Sequence, residues 1–118
     1  CREEVEARKQ YNVSYCDADR LVRQQLSSVK LPDDFPELVY VSFDLDGLDP
    51  SVLPATGTPV PGGLEFYQAL DLVSSACSGR KLVGFDIVEL APSAAHPASD
   101  FAAALVTYHL IALALKKR

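Results

Sequence analysis

Methionine and tryptophan are absent from these 118 residues, histidine occurs twice and cysteine three times. The missing methionine includes the first position, and the chain opens inside a charged helical pattern, so a piece of a longer protein is expected. Cys1, Cys16 and Cys77 are odd in number and show no C-x-x-C spacing. That disfavours a disulfide framework and a zinc site, and a reducing, cytoplasmic compartment is expected. Eleven Lys and Arg against sixteen Asp and Glu leave a net charge of −5, which disfavours nonspecific binding to nucleic acid. The longest apolar stretches are broken by polar residues, so neither a membrane span nor a signal peptide is expected. The one basic run, Lys116-Lys117-Arg118, reads as a solvated helix end favoured by the helix dipole.

The length suits one domain, and 48% hydrophobic residues are enough for a folded core. Charged residues among Val5 and Ala7 predict an exposed helix end over residues 2–10. Val13–Cys16 reads as a small strand or a turn. Asp17 is placed to cap a helix over Ala18–Val29, in which Leu21, Val22, Gln25, Leu26 and Val29 trace a partly apolar stripe. Leu31–Glu37, with Pro32 and Pro36, reads as an exposed connection. Leu38–Asp44 is a buried strand, Gly47–Gly63 a long loop, Glu65–Cys77 a helix and Lys81–Val88 a second buried strand. A second loop over Leu90–Pro97 follows. Ser99 is then expected to cap a last helix, with Phe101, Leu105, Tyr108, Ile111 and Leu115 recurring at helical spacing.

Strands alternating with helices predict an α/β fold with a parallel sheet and right-handed crossovers. Ligands of such sheets bind beyond the carboxyl ends of the strands. Asp44 and Asp46 close the first strand and Asp86 and Glu89 the second, so both acid clusters are expected on one rim. On an extended strand Asp44 and Asp46 would share a side, roughly 7 Å apart along the backbone. Two acids there need an offsetting charge, and a divalent metal supplies it. The loop that follows is long for a compact domain, as functional loops are.

The string Phe43-Asp44-Leu45-Asp46-Gly47 is shared in part with haloacid dehalogenase-like phosphatases, but Leu48-Asp49-Pro50 departs from that motif. A longer match runs through Ser42-Phe43-Asp44-Leu45-Asp46-Gly47-Leu48-Asp49-Pro50, Pro54-Ala55-Thr56-Gly57-Thr58-Pro59 and Gly62-Gly63-Leu64. Together with Gly84-Phe85-Asp86-Ile87-Val88-Glu89-Leu90-Ala91-Pro92 it strongly resembles the ureohydrolase family of arginases and agmatinases, over roughly residues 38–115.

That resemblance implies a three-layer α/β/α fold with a parallel sheet. Residues 1–118 would be the C-terminal portion of a single catalytic domain. It also implies hydrolysis of a small guanidino substrate to urea and an amine with two Mn²⁺ ions, and a homo-oligomer as the full-length protein. Asp44 would bridge both ions and Asp46 would bind one. An activated water between them would attack the guanidinium carbon. Glu89 would pair with the substrate guanidinium, and Thr58 would serve the substrate-binding site with it, as a hydrogen-bond partner near Glu89. Asp49 would shape the loop through its link to Pro50.

The family's upstream His and its D-A-H-x-D motif do not occur in this chain. Asp17-Ala18-Asp19 lacks the histidine and is better read as a helix cap. The piece alone is therefore expected to bind metal weakly and not to turn over. Agmatinase-like chemistry is the first expectation. Arginase, another guanidino or formimino hydrolase, and a truncated noncatalytic module are the alternatives. His96 is expected as an exposed loop residue, His109 as a helix-surface or packing residue, Cys77 as a buried structural thiol, and Asp86 either as a neighbour supporting the site or as an acid satisfied by backbone donors, in preference to a metal ligand.

Overall fold

The computed structural model describes residues 2–116; Cys1, Lys117 and Arg118 lie outside them. Helix α1 spans Arg2–Gln10 and α2 spans Ala18–Arg23. Strand β1, Leu38–Asp44, runs into a 3₁₀ turn, Leu45–Gly47. Helix α3, Phe66–Ala76, strand β2, Lys81–Val88, and helix α4, Pro97–Leu115, complete the order. The strands match the expected limits, and α3 falls between the expected end residues, Glu65 and Cys77, which take its cap positions.

β1 and β2 pair in parallel, from Leu38 opposite Lys81 to Asp44 opposite Val88. The register shifts between Val39 and Tyr40, where Val83 is the extra residue on β2. This bulge has a packing reason. Leu82 and Phe85 are three apart, so strict alternation would put them on opposite faces. With Val83 set out to solvent, Leu82, Phe85 and Ile87 share one face opposite Val39, Val41 and Phe43. That face carries the core, joined by Leu45, Leu48 and Leu53 from the turn and loop, Ala69 and Leu70 from α3, and Val106 and Leu110 from α4. The other face is open, and Tyr40 on it is 62% exposed. The chain therefore forms the parallel sheet and one helical layer of an α/β arrangement.

Three local expectations need correction. Val13–Cys16, expected as a small strand or a turn, forms neither. Helix α2 stops at Arg23 instead of reaching Val29, because Gln25 takes a left-handed backbone, φ 51°. Leu26 N then donates to Leu21 O at 2.9 Å and Gln25 N to Val22 O at 3.1 Å, a helix stop that usually carries glycine. Gln68 of α3 secures it, donating through Nε2 to Leu21 O and Leu26 O. Asp17 holds the N-cap position without a side-chain cap bond, and its carboxylate pairs with Arg8 at 3.2 Å.

The third correction concerns α4. His96 is its N-cap and Pro97 opens it, a position where the missing N–H costs nothing. Ser99 is inside the helix and fully buried. The stripe Phe101, Leu105, Tyr108, Ile111 and Leu115 faces outward, with Phe101 75% exposed, while Ala103, Val106 and Leu110 face the sheet. A helix apolar all round has no preferred face in its sequence. By length and apolarity α4 would also suffice to cross a membrane, contrary to the reading of its residues as too interrupted. Its buried side nevertheless packs into the same core as β1 and β2.

Leu110 is 1% exposed at the centre of that packing. Leu110→Ala should destabilise the fold by about 2–5 kcal/mol, read as a lowered urea midpoint with an unchanged slope.

Candidate active site

Asp44 is the last residue of β1, and Asp46 does not continue the strand as expected. The chain turns at Leu45, which is fully buried, so the side chains of Asp44 and Asp46 are set by the 3₁₀ turn and not by strand alternation. Asp44 caps that turn, its Oδ1 accepting from Asp46 N at 2.9 Å. Asp46 Oδ2 accepts from the Thr58 hydroxyl. Thr58 therefore serves Asp46, whereas the expectation placed its bond near Glu89. Asp46 Oδ1 is buried and has no hydrogen-bond partner.

The long loop that delivers Thr58 is pinned by Asp49. Its Oδ1 accepts from Ser51 N at 2.9 Å and Ser51 Oγ at 2.6 Å, and its Oδ2 from Gly62 N at 2.9 Å. The loop closes where Leu64 N donates to Gly47 O at 2.9 Å and Asp49 N to Leu64 O at 3.0 Å. At that crossing a Cβ on Gly63 would lie 2.5 Å from the Asp49 backbone nitrogen, so only glycine fits.

Glu89 follows β2 directly, with φ 67°, a left-handed conformation that costs a non-glycine residue about 1–2 kcal/mol. The turn points its carboxylate back over the loop, where a Cβ on Gly57 would lie 3.8 Å from Glu89 Oε2. Ala91 N donates to Ala55 O at 2.9 Å and holds the two loops together. Asp44, Asp46, Thr58 and Glu89 thus gather at the carboxyl ends of two adjacent parallel strands, the expected rim.

Asp86 does not join them. It lies two residues inside β2 on the open face, accepting from Ser42 Oγ at 2.6 Å and Tyr40 Oη at 2.8 Å. Its partners are side chains of β1, so of the two expectations for it the one of backbone donors is not met. The Ser42 bond first, then the Tyr40 bond, holds its carboxyl below the ordinary range. The same contact pushes the Tyr40 hydroxyl up. His96 is exposed as expected, and His109 bonds Ser74 of α3 through Nε2 at 2.8 Å, a packing role. Cys77 is a free, buried thiol, and burial raises its pKa.

Oxygen donors are what a hard divalent ion takes. The buried, unpartnered Asp46 Oδ1 is a costly feature for a carboxylate unless a positive charge meets it. Asp44 and Asp46 therefore fit as part of a metal site. Among the described residues no group of three or more His, Cys, Asp or Glu gathers to hold an ion.

Parallel strands joined through a helix, with carboxylates assembled past their ends, define an α/β protein with its candidate site on the carboxyl rim. Within that class the chain belongs to the arginase family, whose model matches residues 1–112. It is 38% identical over 112 residues to the N(1)-aminopropylagmatine ureohydrolase of Thermus thermophilus, a match covering 95% of this chain and 38% of that protein. It is 49% identical over 71 residues to the mitochondrial agmatinase of Gallus gallus, covering 60% of this chain and 18% of the relative. Among solved structures, the arginase from Medicago truncatula superposes with a TM-score of 0.78 at 30% identity over 97% of this chain and 36% of its own. The chain thus spans little more than a third of the length of the relatives it matches along its whole extent. The family match supersedes the phosphatase alternative.

The Asp49 carboxyl is lowered from 3.8 to about 2, chiefly by the Ser51 hydroxyl and then by the Ser51 and Gly62 amides. A carboxylate depressed on folding contributes stability above its unfolded pKa, and this is lost as pH falls through the folded value. The Gly62 amide resonance should therefore hold its position down to about pH 4 and shift between about pH 4 and 2. Asp49→Ala should abolish that step; an unchanged titration in the variant would assign it elsewhere.

Proposed function

We propose that residues 1–118 are the C-terminal portion of a ureohydrolase catalytic domain, and that the complete domain cleaves a guanidino group to urea and an amine. The observation that supports this best is the Asp46 carboxylate, held through one oxygen by Thr58 while the other is buried without a partner. Two manganese ions, when bound, supply Lewis-acid activation of water and offset the carboxylate charge. Asp44 and Asp46 would provide oxygen ligands, with the remaining ligands coming from outside this chain. Thr58 fixes the rotamer of Asp46, so its inner oxygen stays aimed. Glu89 would accept paired N–H donors from the substrate guanidinium and hold its planar carbon in place beside the metal-binding acids. A carboxylate suits that task because the guanidinium stays protonated at neutral pH.

Agmatine or a substituted agmatine is the favoured substrate, in line with the names of the agmatinase and aminopropylagmatine ureohydrolase relatives. Arginine is second: the block Ala55-Thr56-Gly57-Thr58-Pro59-Val60 leans toward the arginases, as does the likeness to the Medicago arginase.

Urea release from agmatine and from arginine, with Mn²⁺ added to the full-length parent, tests the reading. Asp46→Ala should lower bound manganese, while Glu89→Ala should keep it and cut turnover about 100-fold or more. Normal hydrolysis by either variant would sink the assignment of that residue. Neither urea nor bound metal in the parent would favour a noncatalytic module.

A further inference from the structure

Three polar side chains on the open sheet face play no part in the site as described, and their geometry is specific. Asp86 on β2 stands opposite Ser42 on β1 and takes its hydroxyl at 2.6 Å. It also takes the hydroxyl of Tyr40, the residue two positions earlier on β1, at 2.8 Å. Tyr40 can lean forward along the sheet because its own opposite number is Gly84. A Cβ there would lie 2.9 Å from Tyr40 Cε2, inside the space the ring uses. One carboxylate therefore grips two successive residues of the same face of the neighbouring strand.

This grip sits on the site side of the bulge. The bulge adds one residue to β2, so alternation of apolar residues on the N-terminal side does not dictate pairing beyond it. A one-residue slip past the bulge would turn Asp86 onto the core face. A two-residue slip would move Glu89 about 7 Å along β1. With Asp86 bound to both Tyr40 and Ser42, Asp44 is held opposite Val88, and Glu89 is the next residue.

We propose that Asp86, through Tyr40 and Ser42, is a positioning residue that sets the offset between the metal-binding acids at the end of β1 and the substrate-binding Glu89 after β2. The inference rests on the guanidino-hydrolase reading of those acids and touches neither metal nor substrate. Gly84 belongs to the same device as the space that admits the Tyr40 ring. Loss of the lock leaves each end group chemically intact. The expected cost is alignment of the substrate carbon, which appears in kcat and not in metal binding or in KM.

The test uses the full-length parent loaded with Mn²⁺. Asp86→Ala should lower kcat about 10–100-fold, with manganese content unchanged and KM within about twofold. Asp86→Asn, which keeps the shape and can still bond both hydroxyls, should recover most of the rate. Tyr40→Phe removes one exposed hydroxyl and should give a smaller fall of the same kind; it carries the readout if Asp86→Ala does not fold. Wild-type kcat in both Asp86→Ala and Tyr40→Phe would overturn the proposal. So would a fall in kcat matched by loss of manganese, which would make the role merely structural. A parent that releases no urea from any guanidino substrate removes the hydrolase reading and the positioning role with it. A parent that does, with variants at full rate, removes the positioning role alone.

Discussion

The parallel pairing of β1 with β2 carries most of what this chain does. It is a single pairing, and every acid at the rim hangs from one of its two strands or from the loop between them. The bulge at Val83 serves two demands at once. It lets Leu82, Phe85 and Ile87 bury on one face, and it leaves the open face with a polar ladder in which Asp86 bonds Tyr40 and Ser42. Burial supplies the energy of the pairing, while the polar ladder supplies its register.

Charge is managed locally at the rim and just inside it. Asp44 is used partly as a cap, Asp49 is wholly spent on loop amides and a serine, and Asp86 is spent on two hydroxyls. Asp46 is the exception, with one oxygen committed to Thr58 and the other buried without a partner. Four nearby aspartates thus have four different electrostatic situations, and only Asp46 keeps a buried oxygen without a partner. Glu89 differs again: its backbone is left-handed, the Ala91–Ala55 bond lies two residues beyond it, and its carboxylate is left exposed over Gly57.

Helix α4 shows how packing resolves what periodicity leaves open. Its sequence offers two apolar stripes. The bulkier one, with Phe101 and Tyr108, stays outside, and the slimmer one, with Ala103 and Val106, meets the sheet. Small side chains let a helix approach a sheet closely, so the chosen face is the one that packs without large voids. The open sheet face and the outward stripe of α4 together leave much apolar surface uncovered in a chain little more than a third as long as its relatives.

By itself the sequence determined the limits of the two strands, α3, the long loop and the placing of Asp44, Asp46 and Glu89 at one rim, because apolar β-runs and Pro/Gly-rich breaks are local signals; the strands expected to be buried are covered on one face only, and Asp86 stands inside β2, off the rim. The motifs around Asp44, Asp46 and Glu89 were legible for the same reason: they are contiguous. Tertiary structure alone decided the rest. The helix stop at Gln25 depends on Gln68 of α3, far along the chain, and carries no glycine to announce it. Thr58 turned to Asp46 and not to Glu89, because a hydroxyl takes whichever carboxylate the folded loop brings within reach. The role of Asp86 required knowing that Ser42 is its cross-strand neighbour and that Gly84 leaves room for Tyr40. Register past a bulge and the inward face of an all-apolar helix are both set by contacts between distant segments, and no local pattern encodes them.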